Sequence, residues 1–567
     1  MARVLSPRGA LALQKVDGAL LFALRAALAM ALPALPLVLA GRAGLAVYTM
    51  LGAFITTFGR NLPYSRRARI LASAGLAMTA CVGCGAALAV VARPQAGGTG
   101  AAVVVAATAA VAGLAKFTCD ATRLGGLGAV LLLFAFAVAA NGSPTPTDVL
   151  LQTELALAGA ATAWVLAMVG RYVHPDRPQR LAVATALHEL AALLDLTDSG
   201  DTTGRARRRA TAGVLHAYHS LGVAPPTATD RANRDGTCVR LTDLSWSMLI
   251  SSTHRSSNRP TSMTRHLRRQ ARLLTTRRRQ LPPVLPELLA SSAAARAGVV
   301  HGLAGIPAAQ ADPTAQRATE LVVGHQLGGP LSNSALVVPA LRMILGTGAA
   351  GGLAVLLNLG HGYWAAISAA AVLHSINVRT SAQRAIQRTL GTLVGLVLAL
   401  GVLAVHPVPA VLVLVIVLLE SLLEYVVARN YGLGVVFLTP VALLLVDLAS
   451  PTPVEDLVYD RGLASALGIT IGLVCALLVV HDHSAVRAER ALAACTQAAE
   501  RAERALAGGA GTSLSVAQAQ LAAAVVELHD ADDAAAGELW SAGIDPTVLA
   551  AAEQRAYSLL NRLLRHQ

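Results

Sequence analysis

Apolar runs near the roughly twenty residues that cross a bilayer as helix recur along the whole chain, and nothing else restricts its folding so much. They occupy about 20–40, 44–59, 68–92, 101–119, 124–140 and 153–173 in a first block. A second block holds 336–358, 363–378, 385–405, 408–428, 431–449 and 460–480. The runs at 44–59 and 363–378 are the shortest. A helix hides its own backbone hydrogen bonds, so a segment in lipid has few other folds open to it. The pattern predicts an all-α polytopic membrane protein with about twelve transmembrane helices. The first run lacks a small-residue cleavage site and is followed by further runs, so it is expected to stay as a span.

Charge supports this reading. Only 14% of the 567 residues are charged and 54% are apolar, whereas an average soluble protein carries roughly 25% charged residues. The same numbers exclude a disordered chain, which is poor in apolar residues. The formal net charge is +14, and lysine occurs only at Lys15 and Lys116. Arginine-rich loops held against an anionic membrane face explain that excess better than nucleic acid does. The six cysteines are too few and too scattered for a disulfide framework.

Four domains follow. Residues 1–173 form a first transmembrane repeat and 336–480 a second. Between them, 174–335 form a basic cytoplasmic helical segment with twenty arginines against eleven acidic residues. Residues 481–567 form a cytoplasmic C-terminal helical segment, broken at Gly508-Gly509. Orientation comes from the arginine bias of the loops. Arg60, Arg66, Arg67, Arg69, Lys116 and Arg123 fall on one side of the first block. Arg379, Arg384, Arg388 and Arg429 fall on the same side of the second. The opposite loops carry only Arg42, Arg93, Asp148 and Glu154 in the first block, and Glu455, Asp456, Asp460 and a single Arg461 in the second. Both termini are therefore placed in the cytoplasm and the spans in the plasma (inner) membrane.

The blocks also repeat. Arg123-Leu-Gly-Gly126-Leu-Gly128 and Arg429-Asn-Tyr-Gly432-Leu-Gly434 share the pattern R-x-x-G-L-G, 306 residues apart. Glu154 and Asp460 have the same separation. Arg25 and Arg342 each lie in a first span, and Arg66–Arg69 and Arg384–Arg388 each precede a third. Even span counts returning to one side predict parallel repeats.

These residues resemble the fusaric acid resistance family of bacterial inner-membrane proteins, which includes aromatic acid exporters. The likeness rests on His361-Gly-Tyr363-Trp364, on Arg379, Arg384 and Arg388 followed by Gly391-Thr-Leu-Val-Gly395, and on Arg429-Asn-Tyr431 with Thr439-Pro440. Pro63-Tyr64-Ser-Arg66-Arg67 is the trace of these in the first block. The six-span unit is distantly similar to the plant aluminium-activated malate channels. The resemblance implies export of small organic anions and names no cargo.

Glu420 and Glu424 stand four apart inside a span, on one helix face. Glu420 lies nine residues before Arg429, roughly 13 Å along a helix. A charge at that depth costs about 2.5–3.5 kcal/mol, so the carboxylate faces a cavity or a basic partner. Two roles fit: a proton-coupling group, or a structural pair with Arg384 or Arg388. Arg384, Arg388 and Arg429 are candidates for gathering anions, since arginine grips carboxylate as a planar fork. Membrane-face anchoring explains them as well. His361, Tyr363 and Trp364 mark either a membrane boundary or a gate. Pro33, Pro36 and Pro440 interrupt spans and can expose backbone to a pathway. Cys81 and Cys84 have C-x-x-C spacing within an apolar run, where small-residue packing is the simpler account. His481 and His483 lack further metal ligands.

The sequence has no G-x-x-x-x-G-K-[ST], no H-E-x-x-H and no G-x-S-x-G. No enzyme, cofactor or metal is expected. The partners expected are the lipid bilayer and small organic anions, with no nucleic acid; a homo-oligomer is compatible with the chain. Three functions remain: an ion-gradient-driven exporter of aromatic or amphipathic acids, a passive anion channel, and a scaffold that moves nothing.

Overall fold

The computed structural model describes residues 19–59, 62–94, 98–122, 128–142, 144–196, 200–223, 236–252, 261–276, 282–288, 333–375, 378–449, 453–478, 483–508, 511–535 and 545–565. Among these, all regular structure is helical. The chain divides into two compact units. Unit 1 is Met1–Tyr172, Leu331–His481 and Gly537–Leu539; unit 2 is Val173–Pro330, Asp482–Ala536 and Trp540–Gln567. The motif at Arg123–Leu127, Arg60, and the His481-Asp482 pair lie outside the described residues.

Unit 1 opens with α1 (Ala19–Leu39), α2 (Ala43–Ala53), α3 (Tyr64–Ala92), α4 (Gly98–Ala121), α5 (Gly128–Ala140) and α6 (Pro146–Val173). Its second half holds α11 (Asn333–Leu356), α12 (Tyr363–Leu373), α13 (Val378–Leu403), α14 (Pro409–Val426), α15 (Tyr431–Ala449) and α16 (Val454–Leu478). Gly41, at φ 74°, lets the chain turn from α1 into α2, a left-handed conformation that costs glycine nothing. Pro409 starts α14 in its first turn, where the missing N–H is no loss.

Among the described residues nine helices are long and apolar enough to cross a membrane, while Ala43–Thr57, Gly128–Ala140 and Tyr363–Leu373 are shorter. The reason is where they sit. Trp364 to Leu373 of α12 are all buried, as is almost every residue of α5. A helix wrapped by others need not reach either lipid face. The long helices instead leave large apolar side chains such as Leu76, Val91, Leu114, Val397 and Leu418 exposed, as lipid contact requires.

Helix packing in unit 1 pairs the halves. The first helix of each half packs on the fourth of the other: α1 on α14, and α11 on α4. Within each half the third helix packs on the fifth, α3 on α5 and α13 on α15. Helix α12 packs on α16, and Gly52 of α2 lies against Ala156 of α6. Lys116, read as a loop residue, instead lies in α4 and pairs with Asp120 at 2.9 Å.

Unit 2 contains α7 (Arg177–Asp195), α8 (Gly200–Leu221), α9 (Thr237–Ser251), α10 (Thr261–Thr275), α17 (His483–Gly508), α18 (Gly511–Ala535) and α19 (Pro546–Arg565). One core runs through the middle and C-terminal segments, with Leu187, Leu190, Val214, Trp246, Leu521, Val525 and Leu560 fully buried. The periodic leucines of 181–196 supply part of it. Two buried tyrosines of this core have hydroxyl partners: Tyr218 Oη donates to Asp243 at 2.8 Å, and Thr211 and Tyr557 share a hydrogen bond of 2.9 Å.

Candidate functional site

Two groups of charged side chains are buried among the apolar helices of unit 1. The first is acidic. Glu420 and Glu424 both face inward from α14 at 0% and 2% exposure. Thr57, in the tight turn that follows α2, donates its hydroxyl to Glu424 Oε1 at 2.6 Å. Neither oxygen of Glu420 has a hydrogen-bond partner among the described residues. Among the described residues no hydrogen bond or ion pair joins Glu420 to Arg384 or Arg388, a pairing that is one of the two roles read from sequence.

Those arginines face aromatic and hydroxyl groups instead. Arg388 Nη1 donates to Tyr431 Oη and Nη2 to Ser368 Oγ, each at 3.3 Å. The Arg384 guanidinium lies over the Tyr431 ring at 5.4 Å, and that of Arg429 over Tyr425 at 4.1 Å. Arg388 is fully buried, whereas Arg384 and Arg429 are half-buried.

The second group surrounds Arg388. Four helices bring Trp364 and Ser368 (α12), Arg388 (α13), Tyr431 (α15) and Arg461 (α16) together. The Arg461 guanidinium stacks on the Trp364 indole at 3.8 Å. Trp364 stacks in turn on Phe134 at 5.8 Å and meets Tyr363 at 4.8 Å. Arg388 is close enough for its positive charge to act on Arg461. Cation–π stacking of this kind is strongest away from water.

His361 precedes this cluster. Its backbone N–H donates to Asp460 Oδ2, and its Nδ1 lies at the same 3.2 Å from that oxygen. The pair holds the start of α12 to the start of α16. Trp364 is 1% exposed, inside the bundle.

Sequence reading missed Arg461 and Thr57. Arg461 was counted as a loop charge beside Asp460. Its signal was a lone cation in the apolar stretch that α16 occupies, four residues before Ser465 on the same face. Thr57 carried no signal, because its role depends on a contact 367 residues away in sequence. Among the described residues no cluster of histidine, cysteine or acid could hold a metal ion. Cys81 is half-buried and Cys84 exposed, both as free thiols.

The fold and its charged interior define an all-helical, multi-pass integral membrane protein. Residues 349–475, which contain Trp364, Arg388, Glu420, Tyr431 and Arg461, match a family described as fusaric acid resistance protein-like. Across 93% of this chain and 83% of the relative, the sequence is 24% identical to the "Uncharacterized membrane protein YvaC" of Bacillus subtilis (strain 168). No solved structure matches the chain.

Proposed function

We propose that this protein is an ion-gradient-driven exporter of small aromatic or amphipathic organic acids, a member of the fusaric acid resistance family working in the plasma membrane. It makes and breaks no covalent bonds in its cargo. The spans descend from a duplicated six-helix unit, a reading supported by the reciprocal packing of first and fourth helices. The soluble helices of unit 2 and both termini face the cytoplasm, where the arginine-rich loops belong.

One observation carries the transport reading: Glu420 is fully buried in an apolar bundle with neither oxygen partnered among the described residues. A carboxylate kept there at a cost of several kcal/mol has a use that an apolar residue cannot serve. Taking up and releasing a proton is that use. The sequence has no nucleotide-binding loop to supply energy otherwise.

Flux of benzoate in vesicles, with and without a pH gradient, tests this. The wild type is expected to move benzoate faster with the gradient, and Glu420→Gln to lose that acceleration while staying folded, because the amide keeps the shape and cannot titrate. Unchanged gradient dependence in Glu420→Gln assigns the carboxylate a structural role. Flux that follows voltage alone identifies a channel, and no flux at all a scaffold.

A further inference from the structure

We infer that Arg388 and Arg461 together form a carboxylate-binding site at the meeting of α12, α13, α15 and α16. The inference rests on reading the protein as a carrier of organic acids, and it names the residues that hold the acid group.

The argument begins with charge. Both guanidiniums are buried, at 1% and 2% exposure, and the positive charge of each acts on the other. Neither is ion-paired or hydrogen-bonded to a carboxylate among the described residues. The nearest acid in sequence, Asp460, is held by His361. Two like charges out of water repel, and each also loses its hydration.

The donors left over are the second observation. Arg388 Nε and Arg461 Nε and Nη1 are buried without a hydrogen-bond partner. So are the hydroxyls of Thr392, one turn after Arg388, and Ser465, one turn after Arg461. Spacing of four puts each hydroxyl on the face of its arginine, and α13 packs on α16. The cluster is thus rich in unused donors and, among the described residues, lacks an anionic acceptor. An anion supplies what is missing: negative charge and lone pairs together.

Geometry narrows the anion. A guanidinium presents a planar fork of N–H groups that matches a carboxylate better than a spherical ion. Phe134 and Arg461 both lie against the Trp364 ring, at 5.8 and 3.8 Å, so an aromatic acid held by Arg461 meets aromatic surface beside its carboxylate. Arg388 is already oriented by Tyr431 and Ser368, so its free Nε needs no reordering to meet the ligand.

Calorimetric titration of the purified full chain with sodium benzoate, at fixed pH and with no gradient, provides the test. The wild type is expected to bind one benzoate per chain. Arg388→Gln and Arg461→Gln should each weaken binding about tenfold or more, the loss of one charge-assisted hydrogen bond. Arg461→Lys should fold and still bind less tightly than wild type, since it keeps the charge and loses the fork. Gly401→Ala, where an added Cβ meets nothing within 4 Å, should bind as wild type does. Wild-type affinity in both glutamine variants, or no benzoate binding by the folded wild type, overturns the site. Sulfate binding as tightly as benzoate overturns the carboxylate assignment. Should the glutamine variants not fold, wild-type protein alone decides: benzoate should shield Arg461 from phenylglyoxal, read by mass spectrometry, and unshielded modification overturns the proposal. Binding at the arginines without gradient-driven flux would defeat the exporter reading and leave this site standing.

Discussion

The guanidinium of Arg461 lies 3.8 Å over the indole of Trp364, both inside the helix bundle and both out of contact with water. The indole face supplies negative potential to a charge that no carboxylate neutralises, worth about 2 kcal/mol or more in a desolvated site. Trp364 also carries Phe134 on its ring. Replacing it with phenylalanine should keep most of the packing and weaken the cation contact, costing about 1–2 kcal/mol. Trp364→Ala should cost about 3–5 kcal/mol, because a cavity opens as well. Heat denaturation of the purified protein, followed by gel filtration, gives the order. Equal stability of all three forms would show that Arg461 is held some other way.

Sequence reasoning reached the helical class because length and apolarity decide it locally: a run such as 431–449 needs no knowledge of its neighbours to be read as a span. It failed where tertiary contact decides. In sequence Trp364 stands open between a boundary marker and a gate, and its burial in α12 depends on neighbours that no local pattern names. Glu420 was found by depth in the helix, while its lack of a partner was not legible, because Arg388 turns toward Tyr431 and Ser368 instead. Arg461 was hidden by its neighbour Asp460, whose loop-like company disguised a buried cation.

The close approach of helices makes a prediction from glycine. A Cβ on Gly159 of α6 would run into the backbone of Thr49 in α2, and one on Gly468 of α16 into the backbone of Ala365 in α12. Backbone cannot step aside as a flexible side chain can. Gly159→Ala and Gly468→Ala should each cost about 1–3 kcal/mol or more through overpacking. At Gly401 nothing lies within 4 Å, so Gly401→Ala is the control, with a small gain of about 0.5–1 kcal/mol from helix propensity. The fraction of protein surviving heat in detergent, compared across the three, checks it. No difference between Gly468→Ala and Gly401→Ala would mean that α12 and α16 move apart freely.

Topology is testable, though not with the natural cysteines of unit 2. Cys238 and Cys495 are buried at 7% and 1% exposure, and burial pushes both thiols up to about 11, so neither forms the reactive thiolate readily. An introduced cysteine at the exposed position of Ala212 avoids this. In intact cells an impermeant maleimide should leave Ala212→Cys unlabelled, and should label it once the membrane is opened. Labelling in intact cells would place unit 2 outside and reverse the orientation read from the arginine loops.

Unit 2 should also lose stability in mild acid, and the cause can be assigned to one side chain. Burial in α8 holds His216 below its ordinary value of 6.5. Near neutral pH the imidazole is uncharged in both folded and unfolded chains, and folding costs nothing in protons. As pH falls below 6.5 the unfolded chain binds a proton that the folded one resists, so stability declines until pH passes the folded value. Glu553 acts in a separate window. Burial pushes its carboxyl up, but the contact with His529 and the charges of His529, Arg207 and Arg208 outweigh this and leave it below its ordinary 4.5. Its contribution is therefore complete above 4.5 and is lost only at lower pH. The measurement is labelling of Cys238, buried in the same core, during short exposures to heat between pH 5 and 7.5, with each sample returned to one pH for the thiol reaction. Wild-type protein should open more readily at the acid end, and His216→Gln, which cannot take the proton, should flatten that slope. A slope that survives in His216→Gln would move the responsibility to another histidine of the unit.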